Sequence, residues 1–196
     1  MNMEDDESRV KFLGVLQKCQ LLPETLATFG GSILGGTAAM PATIRFPIHD
    51  VSGRLVAYST WSSDRDAYQY SDAFAQQQLL FNSERAVAAT LSKRPFERVV
   101  IVIEDILSCI KVHQAGYPFV VALLGSTMSE AQEADLLGRF THVWLMLDGD
   151  DEGWAGTQAL VARLATEFFV KAAVLPSKKK PAELPTEAIQ AILAAL

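Results

Sequence analysis

Val99-Val100-Ile101-Val102-Ile103-Glu104 is the stretch that decides the fold. An unbroken β-branched run with no polar residue to face water suits a strand buried on both faces. On its C-terminal side, residues 106–114 have helical spacing and stop at Ala115-Gly116, where glycine suits a left-handed helix end. Residues 119–124 repeat the buried-strand pattern and close at Gly125. Residues 129–137 read as a helix, with Ser129 as its cap and Gln132 completing a capping box. Residues 142–147 read as a third strand, 154–166 as a third helix, 168–175 as a fourth strand and 185–196 as a last helix. This alternation predicts an α/β fold, a compact four-stranded parallel sheet with helices on both faces.

On the N-terminal side the pattern changes near residue 95, which predicts two units, 1–95 and 96–196. The first is irregular and rich in Gly and Ser, a smaller mixed α/β unit. Residues 9–21 read as a helix, and Pro23 opens a short second one. Gly30-Gly31 and Gly35-Gly36 break regular structure. Residues 42–48 and 53–59 read as strands around a turn at Asp50-Val51-Ser52-Gly53. Residues 62–66 read as a polar loop and 76–91 as a helix.

Composition limits the function. The chain has 196 residues, is 49% hydrophobic and carries a net charge of −6. It can bury a core, but it lacks the basic balance of a broad electrostatic grip on nucleic acid. Two cysteines, Cys19 and Cys109, are too few for a disulfide scaffold or a four-cysteine zinc site. The opening residues are acidic where a signal peptide is basic, and no run is long enough to span a membrane. A cytoplasmic protein is expected. No Walker-type phosphate loop and no nucleophile elbow occur. His49, His113 and His142 are scattered and read as structural.

Chemistry in parallel sheets gathers at the carboxyl ends of the strands. Glu104 ends the first strand of the C-terminal unit, and Asp148 and Asp150 end the third. Neighbouring strands would bring these three carboxylates to one edge. Such hard oxygen ligands suit Mg²⁺ or Mn²⁺, which can position a phosphate and stabilise charge in phosphoryl transfer. The alternative is that these acids cap the following helices or face solvent.

Several stretches together resemble a known family. They are residues 22–30; Ile44-Arg45-Phe46-Pro47-Ile48-His49-Asp50 with Gly53-Arg54-Leu55-Val56-Ala57-Tyr58; Leu80-Phe81-Asn82 with Arg85-Ala86; residues 100–104 and 110–116; residues 120–126; and Leu145-Met146-Leu147-Asp148-Gly149-Asp150. In order, from about Leu21 to the C-terminus, they resemble the catalytic core of bacterial DnaG-type DNA primases, specifically its TOPRIM domain. The likeness is strongest to primase-like TOPRIM proteins of bacterial chromosomes and plasmids. The resemblance implies the TOPRIM fold preceded by the smaller unit. It also implies Glu104, Asp148 and Asp150 as catalytic and metal-binding residues, with Mg²⁺ or Mn²⁺ positioning a nucleotide for primer synthesis. Related TOPRIM folds serve topoisomerases and nucleases. A nuclease, or a degenerate TOPRIM module that binds a replication or mobile-element protein, are the other readings.

The departures from the family are specific. The family has Gly where Asp105 stands, an acid where Ser108 stands, and an acidic pair flanking a Pro where Lys180-Pro181-Ala182 stands. Three of six expected acids remain, and a lysine among them would repel a second metal. Asp105 and Glu183 are the candidates for partial compensation. In the groove segment between Thr43 and Arg85, four arginines face five acids, scarce charge for neutralising phosphates. Arg45 and Arg54 are its candidate phosphate contacts, and Trp61, Tyr68 and Tyr70 could stack on bases or pack as partly buried aromatics. Lys178-Lys179-Lys180 could touch a phosphate or form a solvated loop. The zinc-binding module and helicase-interaction domain of primases are expected to be absent.

Overall fold

A computed structural model describes residues 16–17, 20–34, 43–62, 64–71, 74–93 and 96–196. The helix expected over 9–21 lies mostly outside them, as do Cys19 and Gly35-Gly36; Leu16 and Gln17 are helical. After helix α1 (Pro23–Thr28), strands β1 (Ser32–Leu34), β2 (Thr43–His49), β3 (Leu55–Ser62) and β4 (Ala67–Tyr70) form an antiparallel sheet in that order. Alternation along β2 buries Ile44, Phe46 and Ile48 on one face and exposes Arg45 on the other. Pro47 is tolerated because β1 pairs only as far as Arg45, leaving that side of β2 free where proline lacks an N–H. The β2–β3 turn forms as expected: the Asp50 carboxylate accepts from the Ser52 N–H at 2.9 Å and the Arg54 N–H at 3.1 Å, and Gly53 takes a positive φ of 79°.

Helix α2 (Ser83–Lys93) leads into the parallel sheet. That sheet comprises β5 (Val99–Ile103), β6 (Val120–Ala122), β7 (His142–Leu145) and β8 (Phe169–Ala172), in the order β6-β5-β7-β8. The helices between and after them are α3 (Ile106–Gln114), α4 (Glu130–Leu136), α5 (Asp151–Leu164) and α6 (Thr186–Ala194). Every residue of β5 is buried, and the pleat divides them between two cores. Val99, Ile101 and Ile103 join a core with Ile110 of α3 and Ile189 of α6. Val100 and Val102 join a second with Leu136 of α4 and Leu160 of α5. Helices therefore cover both faces, as expected. The first core also takes in Ile44, Phe46, Ile48 and Trp61 from the antiparallel sheet, so the two sheets share packed interior.

Several boundaries differ from the sequence reading. The helix expected over 76–91 is a 3₁₀ turn, Gln76–Gln78, followed by α2. Between them the chain is extended because Phe81 makes an antiparallel bridge to Ala122, with N–H to carbonyl distances of 2.9 and 3.2 Å. Strands β1 and β4 are not signalled by the sequence pattern, and β4 begins where the polar loop over 62–66 ends. Helix α5 starts at Asp151 rather than Trp154 because Asp150 caps it. The Ser129–Gln132 capping box of α4 is present in both its hydrogen bonds.

Candidate active site

The parallel pairing of β5 with β7 sets Glu104 beside Asp148 at the carboxyl edge of the sheet. The Asp148 N–H donates to Glu104 Oε1 at 2.9 Å. The Asp148 side chain is 9% exposed, and its buried Oδ1 has no hydrogen-bond partner among the described residues. Its other oxygen lies 3.9 Å from the Lys180 ammonium. Burial, then the charge of Glu104, pushes the Asp148 carboxyl up to about 7. Burial also raises Glu104, against the hydrogen bond from Asp148. Asp150 is used differently: its Oδ1 accepts from the Gly153 N–H at 2.8 Å and caps α5. Its charge still acts on both other carboxylates.

Leu124, just after β6, has a left-handed backbone (φ 62°), strained for a leucine. The turn brings the Gly125 N–H to the Glu104 carbonyl at 3.3 Å. Between this edge and the antiparallel sheet lies a cavity of about 440 Å³. Trp61, Tyr68 and Tyr70 wall one side, Glu104, Asp105 and Asp148 the other, and Lys180 stands at the rim. Trp61 is 1% exposed and donates its indole N–H to Asp66 at 3.1 Å. The Tyr68 hydroxyl donates to Asp105 at 2.9 Å and accepts the Leu107 N–H at 3.0 Å. Burial, then the neighbouring Asp105 charge, holds the Tyr68 phenol well above the usual tyrosine range, so it stays a donor. Arg45 and Arg54 do not line the cavity: Arg45 is exposed over the Tyr58 ring, and Arg54 pairs with Asp50 at 3.0 Å near the turn.

The positions that depart from the family pattern converge on one wall. Asp105 caps α3 through the Ser108 N–H at 3.1 Å and also accepts from the Ser108 hydroxyl at 2.6 Å. The same hydroxyl accepts the Ala182 N–H at 3.3 Å. Glu183 accepts the Lys180 N–H at 3.0 Å. The two acids considered as compensation, Asp105 and Glu183, are thus engaged in local capping. Tyr68 ties the antiparallel sheet into this network. Replacing Tyr68 with Phe leaves Asp105 and the Leu107 N–H each short of a partner. The expected loss is about 1–3 kcal/mol, read as a lower midpoint in urea unfolding with an unchanged slope. An unchanged midpoint would show that the hydroxyl carries no such role.

Whether these residues suit a metal follows from the donor set. Among the described residues, no group of three or more His, Cys, Asp or Glu side chains could hold a metal ion. Glu104 and Asp148 do form a pair, and among the described residues the buried Asp148 Oδ1 accepts no hydrogen bond, which leaves its lone pairs open to a cation. Mg²⁺ is commonly held by one or two carboxylates, completed by waters and substrate phosphates. The pair fits that mode.

Comparison with known proteins agrees with this fold. The Toprim domain profile matches residues 98–175. The DNA primase of Deinococcus radiodurans is 31% identical over 149 residues, 71% of this chain and 25% of the relative. The chain thus spans about a quarter of the length of the curated relatives it matches. Among solved structures, the Aquifex aeolicus primase (zinc-binding and RNA polymerase domains) superposes with a TM-score of 0.74 at 18% identity, covering 93% of this chain and 55% of that one. A DnaG primase catalytic domain bound to single-stranded DNA gives a TM-score of 0.72 at 18% identity, covering 94% and 71%. Residues 98–175 are a Toprim domain, set in a chain that resembles the DnaG-type DNA primases in sequence and has the fold of their catalytic core.

Proposed function

We propose that this chain is a primase-like nucleotidyltransferase domain of a bacterial cytoplasmic protein. It acts on nucleic acid or nucleotides with Mg²⁺ or Mn²⁺, in DNA replication or mobile-element maintenance, with reduced activity. The observation that carries the reading is the buried oxygen of Asp148, without a hydrogen-bond partner among the described residues, beside Glu104 at the cavity edge. When bound, the cation would supply charge stabilisation to a phosphate undergoing transfer. Glu104 and Asp148 would hold it. Asp150, 2 residues on, adds negative charge to the pair while fixing the start of α5. Tyr68 and Trp61 shape the opposite wall, where a base or sugar would lie. Arg45 and Arg54 are assigned to a nucleic-acid backbone that continues past the cavity along the antiparallel sheet. The proposed units are 1–95 and 96–196, with the cavity between them.

A second reading, a degenerate TOPRIM module that binds a replication or mobile-element protein, is favoured by Lys180, Ser108 and Ala182 standing where the family pattern has acids. Primer synthesis on a single-stranded template with Mg²⁺ or Mn²⁺ separates the two. The expected result is metal-dependent product that falls at least a hundredfold in Glu104→Gln, about 3 kcal/mol of barrier. Product that survives the substitution removes Glu104 from the role. A folded wild-type chain that makes none favours the interaction module.

A further inference from the structure

The loop after β8 carries a positive charge to the acidic pair. It is clasped to the acidic turn by two backbone hydrogen bonds: the Gly149 N–H to the Lys179 carbonyl at 2.8 Å, and the Lys178 N–H to the Gly149 carbonyl at 2.7 Å. Lys180 follows directly. Its own N–H is held by Glu183, and its carbonyl accepts the Glu183 N–H at 3.0 Å. With the backbone pinned on both sides, the ammonium reaches Asp148 Oδ2 at 3.9 Å. Burial works against its charge, but Asp105, Asp148, Asp66 and Glu104 outweigh that and hold its pKa above the usual lysine value. The separation is too long for a direct hydrogen bond. The ammonium therefore lowers the field at the carboxylates without using up their lone pairs. A second divalent ion beside them would meet that charge in a partly desolvated cavity, where repulsion is far stronger than in water.

We propose that Lys180 is a built-in counter-cation of the Glu104/Asp148 pair, a positioning residue that limits the cavity to one divalent ion. The proposal rests on the metal reading above. It is tested on the full chain with Mn²⁺ alone, by calorimetric titration and by electron paramagnetic resonance. The wild type should take up one ion, with an uncoupled spectrum. Lys180→Gln should bind its first ion about tenfold more tightly, the effect of removing one nearby positive charge. Lys180→Glu should take up two ions with a spin-coupled spectrum. Circular dichroism melts establish that each variant is folded, and Lys180→Gln carries the test if Lys180→Glu is not. Two ions in the wild type, or variants that keep its stoichiometry and affinity, overturn the proposal. If in the latter case Asp148→Asn abolishes the one ion, the metal reading stands and only the role of Lys180 fails. No uptake by any form removes the metal reading, and this proposal with it.

Discussion

Asp148→Asn should make the metal-free chain more stable at pH 8 and leave it unchanged near pH 4. In the folded chain this carboxyl is pushed up to about 7 from an ordinary value of 3.8, by burial first, then by Glu104 and the other nearby acids, with Lys180 opposing them. A carboxyl raised on folding costs the native state nothing while it is protonated in both states. Stability then falls between about pH 4 and pH 7, where the unfolded chain releases this proton and the native carboxyl keeps it, and the loss is complete once the native group ionises. Shifts of this size translate to several kcal/mol, which partial solvent access and screening reduce to roughly 2 kcal/mol. The amide avoids the penalty. The variant should therefore melt roughly 4–8 °C above the wild type at pH 8. Mn²⁺ should reverse the order, raising the wild-type melting temperature and leaving the variant's unchanged, because binding to the native state alone stabilises it. Primer synthesis by the variant should fall at least a hundredfold. Equal melting of the two proteins at pH 8 would show that the carboxylate carries no buried charge to relieve.

The residues that make this site strained were legible to different degrees. Glu104 and Asp148 could be placed together from sequence because each ends a buried strand, and strands of a parallel sheet end on one side. β5 itself was legible for the same reason: its residues alternate between two apolar cores, so none of them is polar. β4 was not, since Tyr68 and Gln69 sit on a half-buried edge strand where polar residues are tolerated. The extended turn at Phe81 has helical spacing in the sequence, and extension is favoured there by its tertiary partner, Ala122. The cap formed by Asp105 was legible in its three-residue spacing to Ser108, which suits an N-cap carboxylate. Lys180 among the acids was visible as a departure from the family pattern. Its distance to Asp148 was not, because 32 residues of chain separate them and they meet through the β7–β8 pairing and the Gly149 clasp.

That clasp leads to the second large expected effect, the loss of structure in Gly149→Ala. A Cβ at this position would lie 2.3 Å from the Pro176 carbonyl oxygen, 3.1 Å from that of Lys179 and 3.2 Å from Leu175 Cβ. The closest of these are backbone atoms, so no rotamer change relieves the overlap, and the loop must leave the turn. Both clasp hydrogen bonds are then lost, each contributing about 1 kcal/mol, together with the packing between the segments. A loss of roughly 3 kcal/mol and a fall of about 6–12 °C in melting temperature are expected. Gly125→Ala is the control: a Cβ there meets nothing within 4 Å, and the backbone has no positive φ. It should stay within about 0.5 kcal/mol of the wild type. The consequence for the site is separable from the loss of stability. If the clasp holds Lys180 against Asp148, Gly149→Ala should tighten Mn²⁺ binding as Lys180→Gln does, and combining the two should add little, as expected for coupled positions. Full additivity in that double-mutant cycle would mean that the ammonium reaches the acidic pair without the clasp. The glycine between the two aspartates would then serve packing alone.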